Sequence, residues 1–294
     1  MPSMGLYAIA VWLLCGLVTD HLWLQFACFV ISSYLMVELN NSNALIRIYS
    51  RMVSCSFIMM VCMSTFLLQS SKGMMLSICV VMSFVMAFLS YQDKYSMGRI
   101  FYSFMSIGIG SMIDVSVLFF VPVMWLAMFF HLQSMTLRTF ISSLFGLVCP
   151  YWFVAVYLIY TNDITLAVEH FSQLAVFGKV ANFSQVPVSA LVSICYITIL
   201  SVVGIIHYLR NRVFDKTRTR MFYNTFILFD IFTIAFIILQ PQHYATMLII
   251  LIVTTSPLIA HFIALTHTWI TNLAFKVIVA TALSLTIINI LQLI

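Results

Sequence analysis

Asp114 is the one acid in the apolar run from Gly98 to His131, whose centre reads GIGSMIDVSVLFF (108–120). A carboxylate there can do one of two things. It can accept hydrogen bonds from the free N–H groups that begin a following helix, or it can bind substrate in a water-filled recess, since ionisable groups at membrane depth are costly and tend to be functional. Asp20, His243, Glu169 and His170 complete the candidate substrate-binding set. The Glu169–His170 pair has the chemistry of an acid/base couple, but neighbours on a helix point about 100° apart and do not face each other. No catalytic residue is assigned.

Of the other histidines, His131, His207, His261 and His267 carry no H-x-x-x-H or H-x-x-E-H spacing. None of the seven cysteines forms C-x-x-C. No metal site is expected, and no cofactor, because a Gly-rich phosphate loop, G-x-S-x-G and C-x-x-C-H are all missing. In TTSPLIAHFIALTHTWITN, Pro257 frees the carbonyl of residue 253, and His261 lies one turn further on. A kinked helix with an inward polar residue is the expected form.

The elements that must position these residues are set by the solvent. Of 294 residues 63% are hydrophobic and 7% charged, against about 25% charged in a soluble domain. Lipid, not water, must surround most side chains. Apolar runs of bilayer-spanning length give eleven segments: 4–18, 22–38, 52–68, 73–90, 98–113, 115–130, 139–160, 187–208, 221–239, 244–267 and 272–292. The fold class is all-α, a polytopic transmembrane helical bundle of about 11 spans (10–12) in a single integral membrane domain, residues 1–294. The first apolar stretch lacks a basic n-region and a small-residue cleavage site, so it is read as an uncleaved span.

The basic residues orient the chain. With the N-terminus inside, eleven fall on the cytoplasmic side: Arg47, Arg51, Lys94, Arg99, Arg138, Arg210, Arg212, Lys216, Arg218, Arg220 and Lys276. Only Lys72 and Lys179 fall outside. The asymmetry needs a hairpin turning at Asp114, and one helix from Gly98 to His131 would in any case rise about 51 Å, too far for a bilayer. The expected location is the bacterial inner membrane, with the N-terminus cytoplasmic and the C-terminus periplasmic. Glu38, Asp93 and Asp215 then lie among basic residues, where interfacial ion pairing accounts for them. Sites are expected on the outer face, where the 161–186 loop should carry an interfacial amphipathic helix capped by Asp163.

Two stretches, MGRIFYSFMSIGIGSMIDVSVLFFVPVMWLAMFFHLQSMTLRTFISSLFGLVCPYWF (97–153) and LQPQHYATMLIILIVTTSPLIAHFIALTHTWITNLAFKVI (239–278), resemble an uncharacterised family of Bacteroidota inner-membrane proteins. The likeness extends to LNNSNALIRIYSRM (39–52) and carries no activity with it. The same stretches resemble parts of the GT-C glycosyltransferases that use polyprenyl-phosphate sugars. Gly98, Gly108, Gly110 and Pro122 match a Gly-rich short hairpin before a Pro-containing helix, and His243, Tyr244 and Pro257 match a late helix after an external turn. The first external loop is only TDH, however, and LQSSKG (68–73) lacks the acid that family carries, leaving Asp20 as a remnant at most.

Three functional expectations follow. The first is an inner-membrane protein, non-enzymatic or of unassigned molecular function, in cell-envelope assembly, with an outward-facing polar cavity. The second is a reduced GT-C-like transferase using a polyprenyl-phosphate-linked sugar, and the third a small-molecule or lipid transporter. Membrane lipids are the expected partners. The basic residues are spread as topogenic signals rather than gathered for nucleic acid, which is not expected as a partner.

Overall fold

A chain in hydrocarbon must close its backbone hydrogen bonds within itself, which apolar segments do as helices. The computed structural model describes residues 2–178, 180–266 and 268–291, and every regular element among them is helical. In chain order these are α1 (Pro2–Leu14), α2 (Trp23–Asn43), α3 (Met52–Met63), α4 (Thr65–Leu68), α5 (Ser71–Phe88), α6 (Met97–Ile113), α7 (Val121–Ala127), α8 (Leu137–Thr161), α9 (Ile164–Ser172), α10 (Val188–Asn211), α11 (Thr217–Leu239), α12 (Tyr244–Leu265) and α13 (Trp269–Leu291). Eight helical stretches are long and apolar enough to cross a membrane: α2, α5, Val115–Leu132, α8, Val188–Phe214, α11, Pro241–Leu265 and α13. This is a multi-pass membrane protein. The remaining three of the eleven expected segments are shorter, with 13 residues in α1, 12 in α3 and 17 in α6. Lys179, His267 and the C-terminal residue Ile294 lie outside the described residues.

The hairpin at Asp114 is present. Asp114 breaks α6 with extended backbone, φ −145° and ψ 113°. The return strand of the hairpin is irregular: a 3-10 turn over Val115–Phe120, α7 with Pro122 in its first turn, and a π turn over Met128–Leu132. Gln92 N–H donates to Leu132 O at 2.8 Å, so the hairpin closes where it began. α6 packs on α8 because Gly108 and Gly146 carry no Cβ. A Cβ on Gly108 would stand 2.6 Å from Leu147 O, and one on Gly146 would strike Phe101 O. Away from that seam α8 presents exposed Phe145, Trp152, Phe153 and Tyr157, the surface lipid requires.

The centre of the bundle is α12. Every residue from Thr246 to Phe262 is buried, as an all-round apolar helix must be, and α3, α5, α10 and α11 enclose it. Beside it an aromatic layer joins α5 to α11, with Phe88 stacked on Phe222 at 4.3 Å and Phe84 edge-on to Phe229 at 4.9 Å. α10 reaches α12 at Gly204, where a Cβ would lie 2.9 Å from the carbonyl carbon of Leu258. That close approach sits one residue past Pro257, inside α12.

Candidate functional site

α12 is apolar except for a few side chains, and four of them meet three aspartates. Thr246 bonds Asp114, Thr254 and Thr255 bond Asp230, and His261 bonds Asp215. At 1.5 Å per residue Thr246 and Thr254 are about 12 Å apart along the axis, and Thr254 and His261 about 10 Å. Three carboxylates therefore stand in file along one buried helix, one near each end and one between.

At the first end, Asp114 accepts from Ser116 N–H at 2.9 Å and from the hydroxyls of Ser116 and Thr246. It caps the turn that follows it, as its position in the sequence suggests, and also ties the hairpin to α12. Burial raises its proton affinity, but the donors of Ser116 and Thr246, with His243 nearby, outweigh burial and hold it below the ordinary carboxylate value. His243 accepts from Gln242 Nε2 at 3.1 Å, while Gln242 also donates to Val176 O at 2.7 Å and Gln240 accepts from Gly178 N–H at 2.9 Å. The segment at Val176 and Gly178 is thus pinned beside His243.

The other expected residues divide. His170 donates to Ser111 O at 2.9 Å, three residues from Asp114, and lines a cavity of about 180 Å³ with Tyr151 and Phe171 that Asp114 does not enter. Glu169 is exposed, and its carboxylate bonds no described residue. Asp20 is exposed in the α1–α2 turn and is not hydrogen-bonded to the Asp114 group. The Asp163 cap is corrected: Asp163 occupies the N-cap of α9 but makes no side-chain cap bond, its φ of −101° and ψ of 40° lying outside the extended range usual for a cap.

The middle station contains the residue that the apolar pattern hid. Asp230, on α11, is fully buried. Its Oδ2 accepts from Ser201 Oγ of α10 at 2.5 Å and from Thr255 Oγ1 at 3.1 Å, and its Oδ1 accepts from Thr254. No lysine, arginine or histidine bonds it among the described residues. The signal that would have found it is simple, a lone acid near the middle of the span NTFILFDIFTIAFII.

At the opposite end, Asp215 corrects the expectation of interfacial ion pairing. Asp93 behaves as expected, 3.6 Å from Arg99. Asp215 instead is 5% exposed and accepts from His261 Nε2 at 3.0 Å. Arg220 is otherwise engaged, turning back to the backbone carbonyls of Asp215 and Val213 at 2.8 and 3.1 Å. His261 Nδ1 then meets His207 Nδ1 at 3.4 Å. Two histidines from separate segments, which sequence spacing kept apart, form one chain with a buried acid. Among the described residues no three metal-ligating side chains are grouped to hold an ion. The outer-face expectation confines the site to the Asp114 end, whereas the two buried acids, Asp230 and Asp215, lie in the middle of α12 and at its other end. Comparison with known protein families, curated proteins and solved structures finds no match, so the functional reading rests on this file of acids.

Proposed function

We propose that the protein is a carrier of the inner membrane, moving a small molecule or lipid, in which Asp230 takes up and releases a coupling proton. The observation that carries this reading is Asp230 itself, an acid buried at mid-helix, held by three hydroxyls and by no counter-cation among the described residues. A permanent charge there is costly and structurally unnecessary, whereas a group that alternates between charged and neutral forms has a use for those hydroxyls in both. Pro257, inside α12, and the close approach of Gly204 to Leu258 lie within one turn of Thr254 and Thr255, the acid's partners on that helix. Asp114 and Asp215 are the corresponding entry groups at either end. In this reading the three short helices also cross, the N-terminus is cytoplasmic, and the Asp114 end faces outward, where cell-envelope components are handled.

The test uses inverted vesicles carrying the protein, energised by respiration and screened with a panel of small anions and lipids. Solute-dependent collapse of the pH gradient is expected with the wild type and lost in Asp230→Asn at equal abundance. Equal collapse in both, or none in either, overturns the assignment. A second reading, the GT-C-like transferase, is favoured by Asp114 and His243 lying within electrostatic reach of each other beside the pinned loop. Turnover of a polyprenyl-phosphate sugar, abolished by Asp114→Asn and retained in Asp230→Asn, would establish it instead.

A further inference from the structure

Beside the Asp215–His261–His207 chain lies a cavity of about 580 Å³ between α10, α12 and the start of α13. Its lining is divided. Val203, Ile206, Phe262 and Leu265 are apolar, and Ile206 is exposed on the surface of α10. His207 and Arg210 supply the opposite chemistry; three residues apart on α10, they share one face. Arg210 is exposed and enters no salt bridge among the described residues. His207 Nε2 is buried and has no hydrogen-bond partner there, a cost that a bound ligand would remove. Thr268 and Thr271, which cap each other reciprocally at 3.0 and 3.3 Å at the head of α13, line the same space.

The hydrogen-bond pattern gives the ligand its proton count. Asp215 can only accept from His261, so His261 Nε2 carries a proton. The 3.4 Å contact to His207 is then met by His207 Nδ1–H donating to His261 Nδ1, the tautomer that leaves the unpartnered Nε2 of His207 as an acceptor. Arg210 requires an anion and His207 requires a donor. An oxyanion that still bears a proton satisfies both, and the apolar wall leading to Ile206 accommodates a hydrocarbon chain.

We infer that this cavity binds a monoprotonated phosphate monoester, with the guanidinium of Arg210 on its charged oxygens and its remaining O–H donated to His207 Nε2. This goes beyond the carrier reading and stands whether or not Asp230 moves a proton. The same head could arrive on a lipid or as free phosphate, and the experiment separates the two.

The protein is placed in phosphatidylcholine nanodiscs and titrated with phosphatidic acid, a monoester, or phosphatidylglycerol, a diester with no proton to donate. Binding is read by native mass spectrometry. Phosphatidic acid should be preferred by roughly tenfold, the value of one hydrogen bond to a charged group. His207→Phe, which keeps a ring against Phe262, should erase the preference, and Arg210→Gln should weaken both lipids. Displacement of phosphatidic acid by inorganic phosphate at equal concentration would show that the head alone is recognised and extend the site to soluble monoesters; its failure would restrict the site to the lipid. Equal binding of the two lipids by wild type, or an unchanged preference in a His207→Phe protein that melts as the wild type does, overturns the proposal. Should His207→Phe not fold, Arg210→Gln, exposed and free of structural bonds, decides the matter, because undiminished binding of phosphatidic acid also overturns it.

Discussion

Replacing Asp230 by leucine and by asparagine should give opposite outcomes, and the structure says why. Asparagine can set its amide oxygen where Oδ2 stands, accepting from Ser201 and Thr255. Its NH₂ then faces Thr254, whose hydroxyl already lies 2.9 Å from Ile250 O and can donate there while accepting from the amide. Every polar atom keeps a partner, so Asp230→Asn should cost less than about 1 kcal/mol. Leucine accepts nothing. Thr254 still has Ile250 O, but Ser201 and Thr255 have no other acceptor among the described residues. Two orphaned hydroxyls cost about 2–6 kcal/mol at protein-interior values and about 1 kcal/mol at the average measured between membrane helices. Asp230→Leu should therefore be the less stable by at least about 1 kcal/mol. Removing both sides of the interaction, in Asp230→Leu with Ser201→Ala and Thr255→Val, should recover most of the loss, because apolar replacement of a whole polar cluster is close to neutral. Reversible unfolding in mixed detergent micelles measures all three. A leucine variant as stable as the asparagine one, or a triple variant no better than the single, would refute the reasoning.

Three further outcomes are expected. Gly204→Ala should destabilise by about 1–3 kcal/mol, since its Cβ meets backbone of α12, while Gly98→Ala, with nothing within 4 Å, should be neutral or stabilise by about 0.5 kcal/mol; melting temperatures in one detergent compare them. Asp114 has a folded-state proton affinity below its unfolded one, so its contribution is present above the ordinary carboxylate range and lost as pH falls through the lower folded value. Acid titration of the melting temperature should show a steeper decline in wild type than in Asp114→Asn, and parallel curves would count against the Asp114 hydrogen bonds. For orientation, a reporter active only in the periplasm should be active near Asn162 and silent near Asp215; activity at Asp215 would reverse the assignment of faces.

Helix positions were legible in the sequence because a bilayer imposes length. The runs 139–160, 187–208 and 244–267 became Leu137–Thr161, Val188–Asn211 and Tyr244–Leu265. Irregularity inside a run was not legible. The segment 52–68 breaks at Ser64, whose N–H bonds both Met60 O and Val61 O, and nothing in its residue types announces that break. The site was half legible. Asp114 was visible by its isolation, yet Asp230 is equally isolated, and its meaning depends on Ser201, Thr254 and Thr255, which are 24 to 29 residues away along the chain. Asp215 sits between Arg212 and Lys216, and composition alone pairs it with them. Only the fold shows Arg220 spent on carbonyls and the carboxylate given to His261.

The order of partners along the chain bears on how the protein is made. Asp230 is 24 residues ahead of Thr254, and translation proceeds at about 5–20 residues per second. For roughly one to five seconds the newly inserted α11 therefore carries a carboxylate with Ser201 as its sole available donor of the final three. Asp215 likewise waits for His261. A nascent chain halted in that interval exposes an incompletely solvated acid to lipid or to the insertion machinery, a chemical mark of incompleteness by which membrane proteases can distinguish it from the finished bundle. Arrival of α12 erases both marks together, because Thr254, Thr255 and His261 all come from that one helix.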